Sequence, residues 1–323
     1  MTGAGPDASA ASDAPAVEVR ASRHAEVGGM DVRRALPQPG HRTVGAWCFV
    51  DHMGPLPTGV TPGGIGPHPH SGLHTVTWLL EGELLHRDSL GSEQTIRPGQ
   101  LNLMTAGHGV SHAEEPTGRR GGGLHGLQLW VAQPESTRHG GPAFEHHPVL
   151  PQVEWGRARA TVLVGELADT VSPARADTPL IGLDLRLDPG AAEVPVVASF
   201  EHALVVVEGA VVLEGRAVGP GAMAYVAAGP DQLGLTAGAA CRLLLIGGPP
   251  FESPVAMWWN FVGRSRDELA EAGRQWNAGS DRFGDTGSPM DRIPAPAAPW
   301  AVQGVATETA RGRSDEEGPT ARV

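Results

Sequence analysis

A succession of turn signals in the first half of this chain returns in the second, and an internal repeat constrains architecture before any single motif does. Glu81-Gly82 closes the apolar run Trp78 to Leu80, as Glu208-Gly209 closes Val205 to Val207. Pro98-Gly99 corresponds to Pro220-Gly221, and Thr105-Ala106-Gly107 to Ala227-Ala228-Gly229, both at an offset of 122 residues. The glycines at 82 and 209 differ by slightly more, so a hairpin of the second copy is expected to be shorter. Between these signals lie short runs of Val, Leu, Ile and Thr, punctuated by many of the 45 glycines and 29 prolines. Short strands at even spacing predict an all-β protein of barrels.

The expected layout is two barrels in tandem, residues 18–150 and 151–282, with loose tails at 1–17 and 283–323 that are rich in Pro, Ala, Gly and charge. Helix is expected only late. Ser265 with Glu268 three residues on has the form of a capping box, and Leu269 to Trp276 should follow as a short helix.

Composition excludes several functions. A formal net charge of −12 with no long basic cluster opposes direct nucleic-acid binding. All 24 Lys+Arg residues are arginines, so Schiff-base chemistry through a lysine is impossible. No apolar run approaches a membrane span, and the first seventeen residues carry Asp7 and Asp13 with no basic start or apolar stretch, so neither membrane nor secretion is expected and the cytoplasm is the expected location. Cys48 and Cys241 read as buried reduced thiols rather than a disulfide framework.

Two histidine-containing pairs carry the chemistry. His68-Pro69-His70 places imidazoles at i and i+2, which face the same side of a strand. His112-Ala113-Glu114 repeats the device after three turns, about the chain length needed to return to a neighbouring strand of a small barrel. Three imidazoles and a carboxylate without a thiolate suit iron(II), Mn, Ni, Cu or Zn. The other histidines read differently: His146-His147 faces both ways and should lie at the surface, while His24, His41, His139 and His202 have the spacing of ordinary structural residues. Trp78, Trp130, Trp258 and Trp259 are expected to pack in a barrel core or between domains, Glu81 and Glu208 to serve turns, and Arg87-Asp88 to form an exposed hairpin end or, alternatively, to support the pocket rim.

The stretch from Gly66 to Glu115, GPHPHSGLHTVTWLLEGELLHRDSLGSEQTIRPGQLNLMTAGHGVSHAEE, resembles the signature of the pirin family of bicupins. The resemblance continues through Gly126 to Val131 and Gly247 to Arg266, covering most of the chain between about residues 20 and 280. It implies two cupin barrels (double-stranded β-helix, jelly roll) and an iron(II) held by His68, His70, His112 and Glu114, with Glu114 also able to act as a catalytic base. Relatives commonly carry glutamate or glutamine where this chain has His74, which could be a supporting donor, a fifth ligand or a strand residue. Carrying the ligand positions forward by the repeat offsets lands near Pro195, Val197, Gly234 and Thr236, none of which can ligate through an imidazole or carboxylate, so the second barrel should hold no metal. The resemblance further implies quercetin 2,3-dioxygenase-type oxidation of a flavonol, or alternatively a non-enzymatic role in which iron redox state controls binding of a regulatory protein partner.

Overall fold

A computed structural model describes residues 16–57, 63–117 and 123–300. The protein is all-β, with one helix at Arg266–Asn277 among the described residues. It divides into two compact units. One comprises residues through Ala25, Val32–His52 and His147–Phe251; the other comprises Glu26–Asp31, Met53–His146 and the chain from Glu252. No helix among the described residues is long and apolar enough to cross a membrane.

The unit that carries the histidine pairs has two antiparallel sheets. In one, Ile65–His70 pairs Val110–Pro116, which pairs Leu84–Asp88, which pairs Glu93–Ile96. In the other, Ala143–His147, Leu101–Thr105, Leu73–Glu81 and His125–Ala132 lie side by side in that order. The β-branched and aromatic residues of Leu73–Glu81 suit a strand buried on both faces: Val76 and Trp78 alternate with Thr75 and Thr77, and all four are buried. Between Ile65–His70 and Leu73–Glu81 the chain reverses at Ser71-Gly72. Gly72 has φ +72°, and a Cβ there would stand 2.1 Å from the Val262 carbonyl oxygen, so the turn requires glycine both by conformation and by space.

Residues 252–300 belong to this same unit rather than to the second barrel, where the sequence had placed the helix. The helix buries Leu269, Ala272 and Trp276 against Phe261, Phe283 and Ala295, so its apolar stripe decides its position. Ser265 caps it by accepting from the Glu268 N–H at 3.2 Å, while the Glu268 carboxylate accepts from the Arg264 N–H at 2.9 Å. The loose tail expected from residue 283 is not found over residues 283–300: Phe283 is buried, and the Ile293 N–H donates to the Pro67 carbonyl at 2.9 Å. Apolar anchors at positions 283, 295 and 298 hold this stretch although its composition is rich in Pro and Ala. Residues 1–15 and 301–323 of the expected tails lie outside the described residues.

The other unit has a sheet in the order Val17–Ala21, Ala222–Val226, Glu201–Glu208, Cys241–Gly248, Ile181–Leu187, Ala158–Leu167, Gln152–Trp155, and a second sheet of Gly190–Pro195, Gln232–Ala237, Val211–Leu213 and Arg216–Val218. Its core is aliphatic, with Leu183, Leu185, Leu204, Val206, Leu243 and Leu245 at its centre. Residues 18–25, read from sequence as part of the first barrel, cluster with this unit, because Val17–Ala21 pairs in register with Ala222–Val226. Cys48 and Cys241 are both buried free thiols, as expected.

Candidate metal centre

The adjacent strands Ile65–His70 and Val110–Pro116 set His112 opposite His68. His68, His70 and His112 each offer a ring nitrogen, and these atoms all lie within 4.8 Å of one another. All three side chains are buried. His70 Nε2 lies 3.1 Å from His112 Nε2.

Hydrogen bonds on the far side of each ring orient these nitrogens. His68 Nδ1 lies 2.8 Å from the Gly66 carbonyl and His70 Nδ1 lies 3.0 Å from the Asn260 carbonyl. A carbonyl can only accept, so both Nδ1 atoms carry the proton and both Nε2 atoms present a lone pair. His112 Nδ1 faces His86 Nδ1 at 3.4 Å, and His86 Nε2 lies 3.0 Å from Asp88 Oδ2. Asp88 is held in place by the N–H groups of Leu90 and Ser92, which donate to its Oδ1 at 2.9 and 3.0 Å. With His86 donating from Nε2 to the carboxylate, its Nδ1 accepts from His112, and His112 Nε2 is left with a lone pair as well. Two imidazole lone pairs at 3.1 Å repel each other unless a cation lies between them, so the donor set fits a metal ion.

Burial also keeps the rings in the ligating form. Loss of solvent pushes the His68 pKa down to about 4 and those of His70 and His112 well below the ordinary histidine value. Neutral imidazole is what a metal binds.

Of the four expected ligands, the structure brings together three. Glu114 is buried on the same strand, two residues past His112, but its carboxylate is not in the cluster of mutually close ligand atoms. The register shifts between the two residues, so that Glu114 stands opposite Ile65 rather than Gly66. Its Oε1 is 3.4 Å from the Thr77 hydroxyl, which also has Gln128 Oε1 at 2.9 Å and can donate to only one of them. Burial raises the Glu114 pKa above the usual carboxylate value.

His74 stands an odd number of residues from Thr77, hence on the opposite face of its strand, with Nδ1 2.9 Å from Thr105 Oγ1. It is not among the clustered ligands. Trp130 sits edge-on to His70 with ring centroids 5.2 Å apart, and Phe144 stacks on His86 at 4.4 Å. Trp78 and Trp130 are buried wall residues, while Trp258 and Trp259 are half-buried beside Phe261. His146 and His147 are half-buried rather than fully exposed, and His146 Nδ1 lies 2.7 Å from Asn102 Oδ1.

The expectation of an exposed hairpin end at Arg87-Asp88 fails. Asp88 is 1% exposed, because it opposes His112 in register and closes the chain of contacts through His86, while Arg87, on the other face, pairs with Glu93 and Glu115 at 2.5 and 3.2 Å. His86 was not singled out in the sequence, although His86-Arg87-Asp88 is a third i,i+2 pair of the same form.

Comparison with known proteins agrees with this geometry. The Pirin family model matches residues 29–131 and the model of the pirin C-terminal cupin domain matches residues 182–284. A Pseudomonas aeruginosa protein provisionally named a quercetin 2,3-dioxygenase is 44% identical over 87% of this chain and 90% of its own length. A pirin-like protein of Caulobacter vibrioides is 36% identical, over 82% of this chain and 94% of its own, and human pirin is 30% identical over 76% and 85%. The crystal structure of a quercetin 2,3-dioxygenase from Acinetobacter baumannii superposes with a TM-score of 0.83 at 42% identity, covering 87% of this chain and 95% of that one. The chain therefore belongs to the pirin family, as an all-β bicupin with a buried triad of histidines in the unit that carries its first family signature.

Proposed function

We propose that this chain is an iron(II)-dependent dioxygenase of the quercetin 2,3-dioxygenase type, opening the heterocycle of a flavonol with release of carbon monoxide. The observation that carries the reading is the convergence of three buried, proton-free imidazole nitrogens. The substrate class is supported by similarity to proteins bearing that name. In this proposal His68, His70, His112 and Glu114 hold the ion. Bound there, iron would supply Lewis acidity toward the 3-hydroxyl and 4-keto oxygens of the flavonol and redox contact with dioxygen.

The chain's own residues do the rest. Glu114, whose burial raises its proton affinity, accepts the proton of the flavonol 3-hydroxyl, and Thr77 can turn its hydroxyl toward the carboxylate as the charge there changes. The Gly66 and Asn260 carbonyls and the His86–Asp88 pair keep the three rings from rotating. Buried Trp130 and its neighbours exclude water from the reacting oxygens.

The test is anaerobic loading with ferrous iron followed by quercetin and then oxygen. The expected result is oxygen-dependent loss of the flavonol absorbance with one carbon monoxide released per quercetin consumed, and Glu114→Gln should keep the ion yet lose the bleaching. Iron-loaded protein that leaves quercetin intact in oxygen would refute the enzymatic reading. The regulatory alternative then makes its own demand, that ferrous and ferric protein retain different partners from a cell extract.

A further inference from the structure

The outer face of the second unit carries an unusual row of charges. Four ladder pairings in succession set Glu154 opposite Arg159, Arg159 opposite Arg186, Arg186 opposite Arg242, and Arg242 opposite Glu208. Their neighbours Ala158, Ala160, Leu185, Leu187, Cys241 and Leu243 point into the core, so strand alternation sends all three arginines outward on one face. Like charges directly opposite on adjacent strands repel, and Arg186 has an arginine on both sides.

Two of the three have local counter-charges. Arg159 meets Glu154 at 2.9 Å, and Arg242 makes a two-point contact with buried Asp184, at 2.8 and 2.6 Å. That contact uses Nε and Nη2 and leaves Nη1 of Arg242 to other acceptors. Arg186 has no carboxylate partner among the described residues, and neither has Arg157 at the adjacent turn. Both are exposed, and Arg157 lies along Gly190, where a Cβ would come within 2.7 Å of its Cδ. Together Arg157, Arg159, Arg186 and Arg242 line a cavity of about 300 Å³, whose wall also holds Asp188 and Glu208.

We infer that this cavity binds a small oxyanion of the phosphate class, free or as the monoester of a small molecule, seated on Arg186 and Arg157. Guanidinium groups suit such anions because their N–H groups donate in pairs to adjacent oxygens. A compact anion fits and an extended polyanion does not, since Glu154 and Glu208 close the row at its two ends and would repel a chain of phosphates running across it. The inference is independent of the metal centre, whose residues lie in the other unit.

Calorimetric titration of the full-length protein at low ionic strength tests it, with inorganic phosphate and phenyl phosphate as probes and chloride at matched ionic strength as the control. Both phosphates should bind where chloride does not, and Arg186→Gln and Arg157→Gln should each weaken them roughly tenfold, as expected for loss of a charge-assisted contact. Arg216→Gln, an exposed arginine outside the cavity, should change nothing. Tighter binding of phenyl phosphate would identify a monoester site, and equal binding a site for the free ion. No binding of either phosphate, or binding that survives both cavity substitutions, overturns the inference, the second outcome placing the anion elsewhere, such as at the metal.

Discussion

His202, on the strand Glu201–Glu208, points into the aliphatic core of the second unit with 0% exposure, and neither of its ring nitrogens has a hydrogen-bond partner. Burial alone depresses its pKa from 6.5 to about 4. A base whose folded pKa is depressed contributes full stability above its unfolded pKa and loses it as pH falls toward the folded value. Between pH 6.5 and about 4 the unfolded chain takes up a proton that the folded chain refuses, so unfolding becomes easier by about 1.4 kcal/mol per pH unit. From pH 7 to pH 5 the loss due to this one ring comes to about 2 kcal/mol. His202→Leu removes the titrating group and the two unpaired nitrogens while keeping a side chain that the apolar core accepts. Urea unfolding of both proteins at pH 7 and pH 5, at one fixed metal content, reads the effect. The wild type should lose about 2 kcal/mol more than the variant over that interval, and at pH 7 the variant should be equally stable or more so. Equal losses in the two proteins would show that His202 is protonated or solvated in the folded state, and would refute its description as a buried unpartnered base.

Other expectations follow from the metal centre and the helix. His68→Ala and His112→Ala should each abolish stoichiometric metal in elemental analysis of purified protein, since each removes one of only three clustered nitrogens. Asp88→Asn should retain the fold but weaken metal affinity about 10- to 100-fold in a chelator competition, because the amide no longer fixes the His86 tautomer against which His112 is oriented. An unchanged affinity would mean that the His86–Asp88 pair does not govern the ligand. Ser265→Ala should cost about 1 kcal/mol in thermal or urea unfolding through the lost cap on the Glu268 N–H.

The local period of the chain determined much of this protein. Spacing by two sends His68 and His70 to one side of a strand, and the same spacing in His112-Ala113-Glu114 identified the returning strand. The repeated turn glycines separated short strands and predicted barrels, and Ser265 with Glu268 marked the helix start. These are readable because the backbone alternates over a few residues wherever it lies in the fold.

Only the tertiary structure decided how those pieces meet. The register shift between His112 and Glu114 is a property of two paired strands and leaves no mark in either alone, yet it sets Glu114 opposite Ile65 instead of Gly66. His70 is oriented by a carbonyl 190 residues away, at Asn260, and Val17–Ala21 completes a sheet edge formed by Ala222–Val226. Asp88 is buried because it opposes His112, whereas its sequence neighbours Arg87 and Ser89 look like an ordinary exposed turn. Pairing across such distances is chosen by which apolar faces can be buried together and which polar groups must then be satisfied, and those demands exist only once the whole chain has closed.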